Sequence, residues 1–460
     1  MALGRRQAER QGELWVATAS LPKSIGHVFY EKLNGLLHEA GFDRFVEELC
    51  APYYHDSRGR PSIPPGTYFR MLLVGYFEGI DSQRGIAWRC ADSLSLREFL
   101  GIAMGKQSPD HSTLSVIRGR LPEEAHVAVF QWVLNLARVK KLLDGRRVGV
   151  DSTTLEANAA MKSIVRKDTG DDWKQYIKTL MVEAGEIESD DEPTDDELRK
   201  FDRKRGGKKV SNEDWVSDTD GDARIAKMKD GTTHLAYKAE HAVDLDSQMI
   251  LAAEIYYADE SDTKTLEDTI NTAQMHLLAT GGGDIREVVV DKGYHSGEVI
   301  ETFATDTRYR LYAAEKSLSD GKHRRWKGLT RSRQQALRNH QRRATSDHGR
   351  ALQRQRSEIV ERSFAHTCET GGARRSWLRG VVKVAKRYLM TAAAHNLGCL
   401  MRKLFGIGTP RGRQQFTFEL WGPRPALKTT LWCLTSLWRT PTRPGVAPEP
   451  PASRPTLAAV

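Results

Sequence analysis

A chain of 460 residues can bury a sizeable core, and at about 150 residues per domain it suggests two or three units. Lys and Arg total 70 against 60 acidic residues, and the net charge of +10 favours a polyanionic partner, nucleic acid or an anionic membrane surface. The five cysteines (Cys50, Cys90, Cys368, Cys399 and Cys433) form no CxxC pair and no zinc-spaced cluster, which argues against a disulfide framework or a zinc finger. No apolar run reaches the roughly 18 residues a membrane span needs, and the N-terminal apolar stretch is too short for a signal peptide. The expectation is a soluble cytoplasmic protein with reduced thiols.

Residues 24–140 predict an all-helical N-terminal region. Apolar residues recur at helical spacing through Ile25, Phe29, Leu33, Leu36 and Leu37, and again through Tyr68, Met71, Leu72, Gly75 and Tyr76. The segment GRPSIPP separates these runs, because Gly59, Pro61, Pro64 and Pro65 stop one helix and start the next. Asp110 before HSTLSVIRGRL, and Pro122 with Glu123 and Glu124, mark two further helix starts.

The pattern then changes to an α/β one. Arg146–Asp151 (RRVGVD) is a short β-like run ending on a carboxylate, and residues 236–257 predict a hairpin around a polar Asp244–Gln248 turn. Arg286–Asp291 (REVVVD) has the apolar run of a strand buried on both faces, and it too ends on an aspartate. Between the first strand and the hairpin, about residues 160–233 are polar, with opposed charge blocks that suggest a solvated, partly mobile insertion containing some helix. A long helix is expected at about residues 378–404, with Val381, Ala385, Tyr388, Leu389, Ala392, Leu397, Leu400 and Leu404 on its buried face. Nine of the 17 prolines fall between Pro410 and Pro455, which predicts a loosely ordered tail over 409–460. The domains expected are therefore a helical unit at 1–140, an α/β unit at 144–408, and the tail.

Asp151 and Asp291 share a local grammar, a hydrophobic strand followed by an aspartate at its C-terminal end, where an α/β sheet collects ligands and catalytic groups. Two carboxylates on adjacent strand ends can hold Mg²⁺, a hard ion that prefers oxygen ligands. Paired ions about 4 Å apart can activate a water or a 3′-hydroxyl and stabilise the leaving oxygen of a phosphoryl displacement. A third carboxylate completes such a shell. Taken alone, an aspartate after a strand is more often a turn former or a helix cap than a metal ligand.

The segments VGVDSTTLEANA, VVVDKGYHSGE and RSEIVERSFAHTCETGGARRSWLRGVVKVAKRYLMTAAAHNLGCLMRKL resemble the DDE transposase domain of bacterial insertion sequences. GRPSIPPGTYFRMLLVGYFEGIDSQRGIAWRCADSLSLREFLG and PDHSTLSVIRGRL resemble the InsH-type helical domain that precedes it. The resemblance covers about residues 24–408. It implies an α/β, RNase H-like mixed-sheet core behind an all-helical N-terminal domain, and a catalytic and metal-binding triad of Asp151, Asp291 and Glu361 using Mg²⁺ or Mn²⁺. In the family, Glu follows a Tyr and an Arg at fixed spacing and precedes a Lys; here Arg354, Ser357 and Cys368 stand at those places. Glu358 has Arg354 at the Arg spacing but lacks the ERSF context that favours Glu361.

The remaining features bear on DNA. Residues 322–356 carry twelve cations, Arg324, Arg325, Lys327, Arg354 and Arg356 among them, with Asp347 the only acid. So lopsided a tract suits phosphate binding better than a solvated helix face, and such contacts position DNA without reading its sequence. Lys292, Tyr294 and His295 follow Asp291 and suit either DNA contact or a polar turn around a packed tyrosine. Trp326 suits base stacking or loop anchoring, and His111 a surface or capping role. Recognition of the element ends falls to the N-terminal helices, at Gln83–Arg89 or Ser112–Arg120. Three readings follow: a transposase that cuts and joins double-stranded DNA as a homodimer, a nuclease that cleaves without joining, and an inactive DNA-binding derivative.

Overall fold

The helical spacing at the start of the chain is realised, in a computed structural model, as α1 (Ile25–Glu39), α2 (Phe42–Cys50), α3 (Pro65–Glu78), α4 (Gln83–Asp92), α5 (Leu94–Phe99), α6 (His111–Arg120) and α7 (Glu123–Val139). The structure describes residues 25–55, 61–204, 211–228, 231–305, 308–315 and 329–410, with residues 17, 20, 59 and 206. Helix starts follow the sequence punctuation. Pro65 is the first residue of α3, where a missing N–H leaves no bond unmade. The Asp110 side chain accepts a hydrogen bond from the Ser112 N–H at the start of α6.

The rest alternates strands and helices: β1 (Arg147–Glu156), β2 (Ile164–Arg166), α8 (Trp173–Glu183), α9 (Asp195–Lys204), β3 (Trp215–Ser217), β4 (Arg224–Lys227), β5 (Thr233–Asp244), β6 (Ile250–Tyr257), α10 (Asp262–Ala279), β7 (Glu287–Val290), α11 (Gly297–Thr305), β8 (Arg310–Ala313), α12 (Arg331–Thr345), α13 (Asp347–Phe364) and α14 (Val381–Phe405). The insertion predicted from low apolar content carries more structure than that content suggested. β2 and β3 pair antiparallel, and α8 and α9 enclose their own small core of Ile177, Met181 and Leu198. Amphipathic spacing compensates there for sparse apolar residues.

The sheet is mixed. β6, β5, β1, β7 and β8 lie side by side, with β4 extending β5 at its start. β5 is antiparallel to β1 and to β6, whereas β1, β7 and β8 run parallel. Val148, Val150 and Val288–Val290 are fully buried, as expected for central strands covered on both faces. Successive side chains alternate between faces. Ser152 hydrogen-bonds to Asp262 of α10 on one face, while Gly149 and Asp151 meet α13 on the other.

Helix α14 joins the two parts of the chain. From Tyr388 to Met401 every residue is buried, because this helix lies between β6 and the N-terminal helices α3 and α7. The Asn396 side chain accepts from the Ile250 N–H and donates to the Ile250 carbonyl, both at 2.8 Å, which satisfies the outer edge of β6. Leu404, expected on the buried face, is 36% exposed because the last turn of α14 projects beyond the core. One continuous apolar cluster extends from Phe29 to Ile407.

Gly149 sets the seat of α13. A Cβ there would lie 2.8 Å from Leu245 Cδ2, 2.9 Å from Val360 Cγ2 and 3.0 Å from Arg356 Cγ, so the helix approaches β1 only over a residue without a side chain. Gly149→Val is expected to destabilise the fold by about 1–3 kcal/mol through overpacking. Thermal unfolding checks this, and an unchanged melting temperature would mean that α13 is not seated on β1 in this way.

Candidate active site

The parallel ladder between β1 and β7 ends on the pair Val150 and Val290, so Asp151 and Asp291 are the next residues in register. Asp151 was expected at the end of its strand. Instead β1 continues to Glu156, because its antiparallel pairing with β5 outlasts its pairing with β7. The aspartate therefore stands where the parallel ladder stops, beside Asp291 in the first residue after β7.

Arg356 of α13 lies over both. Its Nη1 donates to Asp151 Oδ2 at 2.8 Å, and its Nη2 is 3.5 Å from Asp291 Oδ1. Placed among the phosphate-binding cations by its sequence context, Arg356 is only 6% exposed and is engaged with the two carboxylates. A helical turn that puts it over a glycine of β1 aims it inward. Burial pushes the Asp151 carboxyl above its ordinary range, while the Arg356 guanidinium and the Ser152 N–H hydrogen bond at 2.8 Å pull it back down.

Glu361 is exposed near the end of α13, and Ser357 Oγ donates to its Oε1 at 2.8 Å. Gln353, Ser357 and Glu361 are spaced by four residues and form one stripe of the helix. Gln353 Nε2 donates to the carbonyls of Val290 and Tyr312, at the ends of β7 and β8, so the stripe begins beside Asp291. Glu358 is ion-paired with Arg362, which reaches Gln248 in the β5–β6 turn, toward the opposite end of β1. Asp151, Asp291 and Glu361 do not converge within 4.8 Å. Among the described residues the set that does is His295, Glu315 and His340.

Behind the aspartates lies a buried polar network that the sequence reading missed. Tyr294, offered as a DNA contact, is 1% exposed, and its hydroxyl donates to Glu240 Oε2 at 3.0 Å. Thr265 Oγ1 donates to the same oxygen at 2.7 Å, and Lys238 Nζ donates to Thr265 and pairs with Asp262, each at 2.8 Å. Ser152 Oγ closes the chain on Asp262 at 2.9 Å. Glu240 is fully buried, and burial raises its carboxyl. The polar residues of AYKAEHAVD, inside an apolar strand, were the available signal. His241, paired across the ladder with Asp151, is also fully buried; it bonds to Ser363 and Tyr388 at 2.9 Å and stacks on Phe364. Burial depresses its pKa well below the usual value, keeping it neutral.

Lys292 is exposed directly after Asp291, and Arg354 is exposed on the outer side of α13. Arg331, Arg338 and Arg342 are exposed along α12. Arg324, Arg325, Lys327 and Trp326 lie outside the described residues, as does the tail from 411. His111 is half-buried beside Asp110 at 3.0 Å.

Residues 21–120 match the family described as Transposase domain (DUF772), and residues 194–397 match the family described as Transposase DDE domain. No curated protein and no solved structure matches the chain. Asp291 and Glu361 lie inside the second match, while Asp151 precedes it. Both matches are to transposase domains, and together they support a DDE-type transposase. That family implies a DNA substrate and dependence on a divalent metal ion. No described helix is long and apolar enough to cross a membrane.

Arg356→Met removes the charge that offsets two adjacent carboxylates. Because Asp151 and Asp291 are partly exposed (24% and 40%), the expected loss is modest, about 1–2 kcal/mol at pH 7. Arg356 favours the ionised form of Asp151, whose carboxyl burial holds above its ordinary range, so its contribution is present above that raised pKa and is lost as pH falls through it. Denaturant unfolding of both proteins at pH 7 and pH 3.5 checks this; an equal difference at both pH values would assign the loss to packing alone.

Proposed function

We propose that this transposase cleaves DNA at the ends of its element and joins the freed 3′-hydroxyls to target DNA, using Asp151, Asp291 and Glu361 on an RNase H-like core. The observation that carries the assignment is the register of Asp151 and Asp291 at the end of the β1–β7 parallel ladder. The strand order β6–β5–β1–β7–β8, with the first three antiparallel and the last three parallel, supports the RNase H-like fold.

The donor set fits Mg²⁺ or Mn²⁺, since carboxylate oxygens are the ligands hard divalent ions prefer. Bound there, the ion supplies activation of the attacking oxygen and charge stabilisation of the phosphoryl group. The residues of the chain do the rest. The β1–β7 register holds two carboxylates side by side, and Arg356 offsets their repulsion. The Ser357 hydrogen bond orients Glu361 on the stripe that begins at Asp291, which favours Glu361 over Glu358 as the third carboxylate. Tyr294, tied to Glu240, fixes the turn that carries Asp291 and presents Lys292 to the DNA backbone.

Exposed Arg354 and the outer arginines of α12 extend the phosphate-binding surface, and Arg324, Arg325 and Lys327, which lie outside the described residues, are further candidates for phosphate contact. The N-terminal helices read the element ends, and the enzyme works as a homodimer, since two ends must be held at once. It acts in the cytoplasm, at the nucleoid.

Asp151→Asn, Asp291→Asn and Glu361→Gln are each expected to lower cleavage and strand transfer about a hundredfold or more while leaving DNA binding in place. Glu358→Gln is expected to stay near the unmodified rate. Assays on pre-cleaved and uncleaved element ends check this. Full activity of Glu361→Gln with loss in Glu358→Gln would reassign the third carboxylate, and hydrolysis without joined product would make the enzyme a nuclease.

A further inference from the structure

Away from the aspartates, a cavity of about 610 Å³ opens between α3, α4, α6 and α14 and the segment Gly371–Leu378. That volume suits a small organic ligand. Its lining is strongly asymmetric in charge: Arg84, Arg118, Lys386 and Arg387 face one carboxylate, Asp81. Asp81 already accepts a hydrogen bond from Trp377 Nε1 at 2.8 Å.

The deeper cations are held by backbone carbonyls. Lys386 is 7% exposed, and its Nζ donates to the Leu121 carbonyl at 2.8 Å. Arg387 Nη2 donates to the Gly372 carbonyl at 2.8 Å. Arg118 Nη1 is buried and makes no hydrogen bond. Burial lowers the pKa of all three, and the pull of Glu123 on Lys386 and of Asp81 on Arg387 offsets that only in part. Such an arrangement is relieved by an anion. Beside the polar Ser82, Gln83, His111, His126 and Thr391, the walls include Tyr68, Ile86, Met390 and Trp377, surfaces on which a planar ring can pack.

The cavity is linked to the aspartates through β1. Glu156, the last residue of that strand, accepts from the Ser376 N–H at 2.9 Å and donates to the Arg374 carbonyl at 3.0 Å. Five residues of strand separate Glu156 from Asp151, about 17 Å, which is about five nucleotide steps along one DNA strand.

We propose that this cavity binds a single nucleotide unit, its phosphate held by Arg118, Lys386 and Arg387 and its base packed against the aromatic and apolar wall. The nucleotide is either free or one unpaired residue of a DNA strand, and only the second source rests on the DNA-joining reading above. The test is calorimetric titration of the full chain carrying Asp151→Asn, in buffer without divalent ions, so that it reads binding and not cleavage.

Thymidine and deoxyadenosine monophosphates are expected to bind at least about tenfold more tightly than inorganic phosphate. Arg118→Met, and Leu72→Trp to fill the cavity, are expected to weaken that binding about tenfold or more. Should Arg118→Met fail to fold, the more conservative Arg118→Gln serves in its place. If the source is DNA, a duplex with one unpaired nucleotide binds more tightly than its fully paired counterpart, and the same variants erase the difference. Preference for the free nucleotide alone identifies a soluble ligand and supports the pocket equally. Nucleotide binding no tighter than phosphate, no binding of either, or binding unchanged in the variants would overturn the proposal.

Discussion

Two like charges held side by side at the end of a parallel ladder are the constraint around which this molecule is arranged. The β1–β7 register gives Asp151 and Asp291 no freedom to separate. Their repulsion is offset by a guanidinium delivered from a helix late in the chain, which reaches them because Gly149 leaves room for that helix. A buried cation between carboxylates is a poor source of stability and a good way to keep an acidic site assembled. It also supplies positive charge at the point proposed above for the divalent ion.

The two faces of the sheet divide the remaining work. On the α13 face, neutral His241 ties β5 to α13 and α14 through Ser363 and Tyr388. On the α10 face, Glu240 gathers Tyr294 and Thr265, and the chain continues through Lys238 and Asp262 to Ser152. The residue after Asp151 and the turn after Asp291 are thus anchored in one network beneath the site. Pre-organisation of this kind fixes functional groups to within a fraction of an ångström of their working positions.

The fold was legible where local physics decides it. Helix starts at Pro65 and Asp110, the hairpin around Asp244–Gln248, and the valine runs before both aspartates all follow from capping, turn chemistry and periodicity. What was not legible depends on contacts between distant segments. Nothing local distinguishes Arg356 from its basic neighbours, yet its helical phase turns it onto the aspartates while Arg354 faces out. Tyr294 sits in a polar motif but is drawn inward by Glu240, fifty-four residues earlier. The burial of α14 on all sides is set by the N-terminal helices on one side and β6 on the other.

Glu361, the proposed third carboxylate, is exposed on its helix and does not converge with the two aspartates. The most direct test is a crystal structure grown with Mn²⁺, read by anomalous scattering. The account predicts a peak about 2.2 Å from carboxylate oxygens of both Asp151 and Asp291, with the Arg356 guanidinium displaced from them. A Mn²⁺ peak at His295, Glu315 and His340, with Arg356 still bridging two metal-free aspartates, would contradict it.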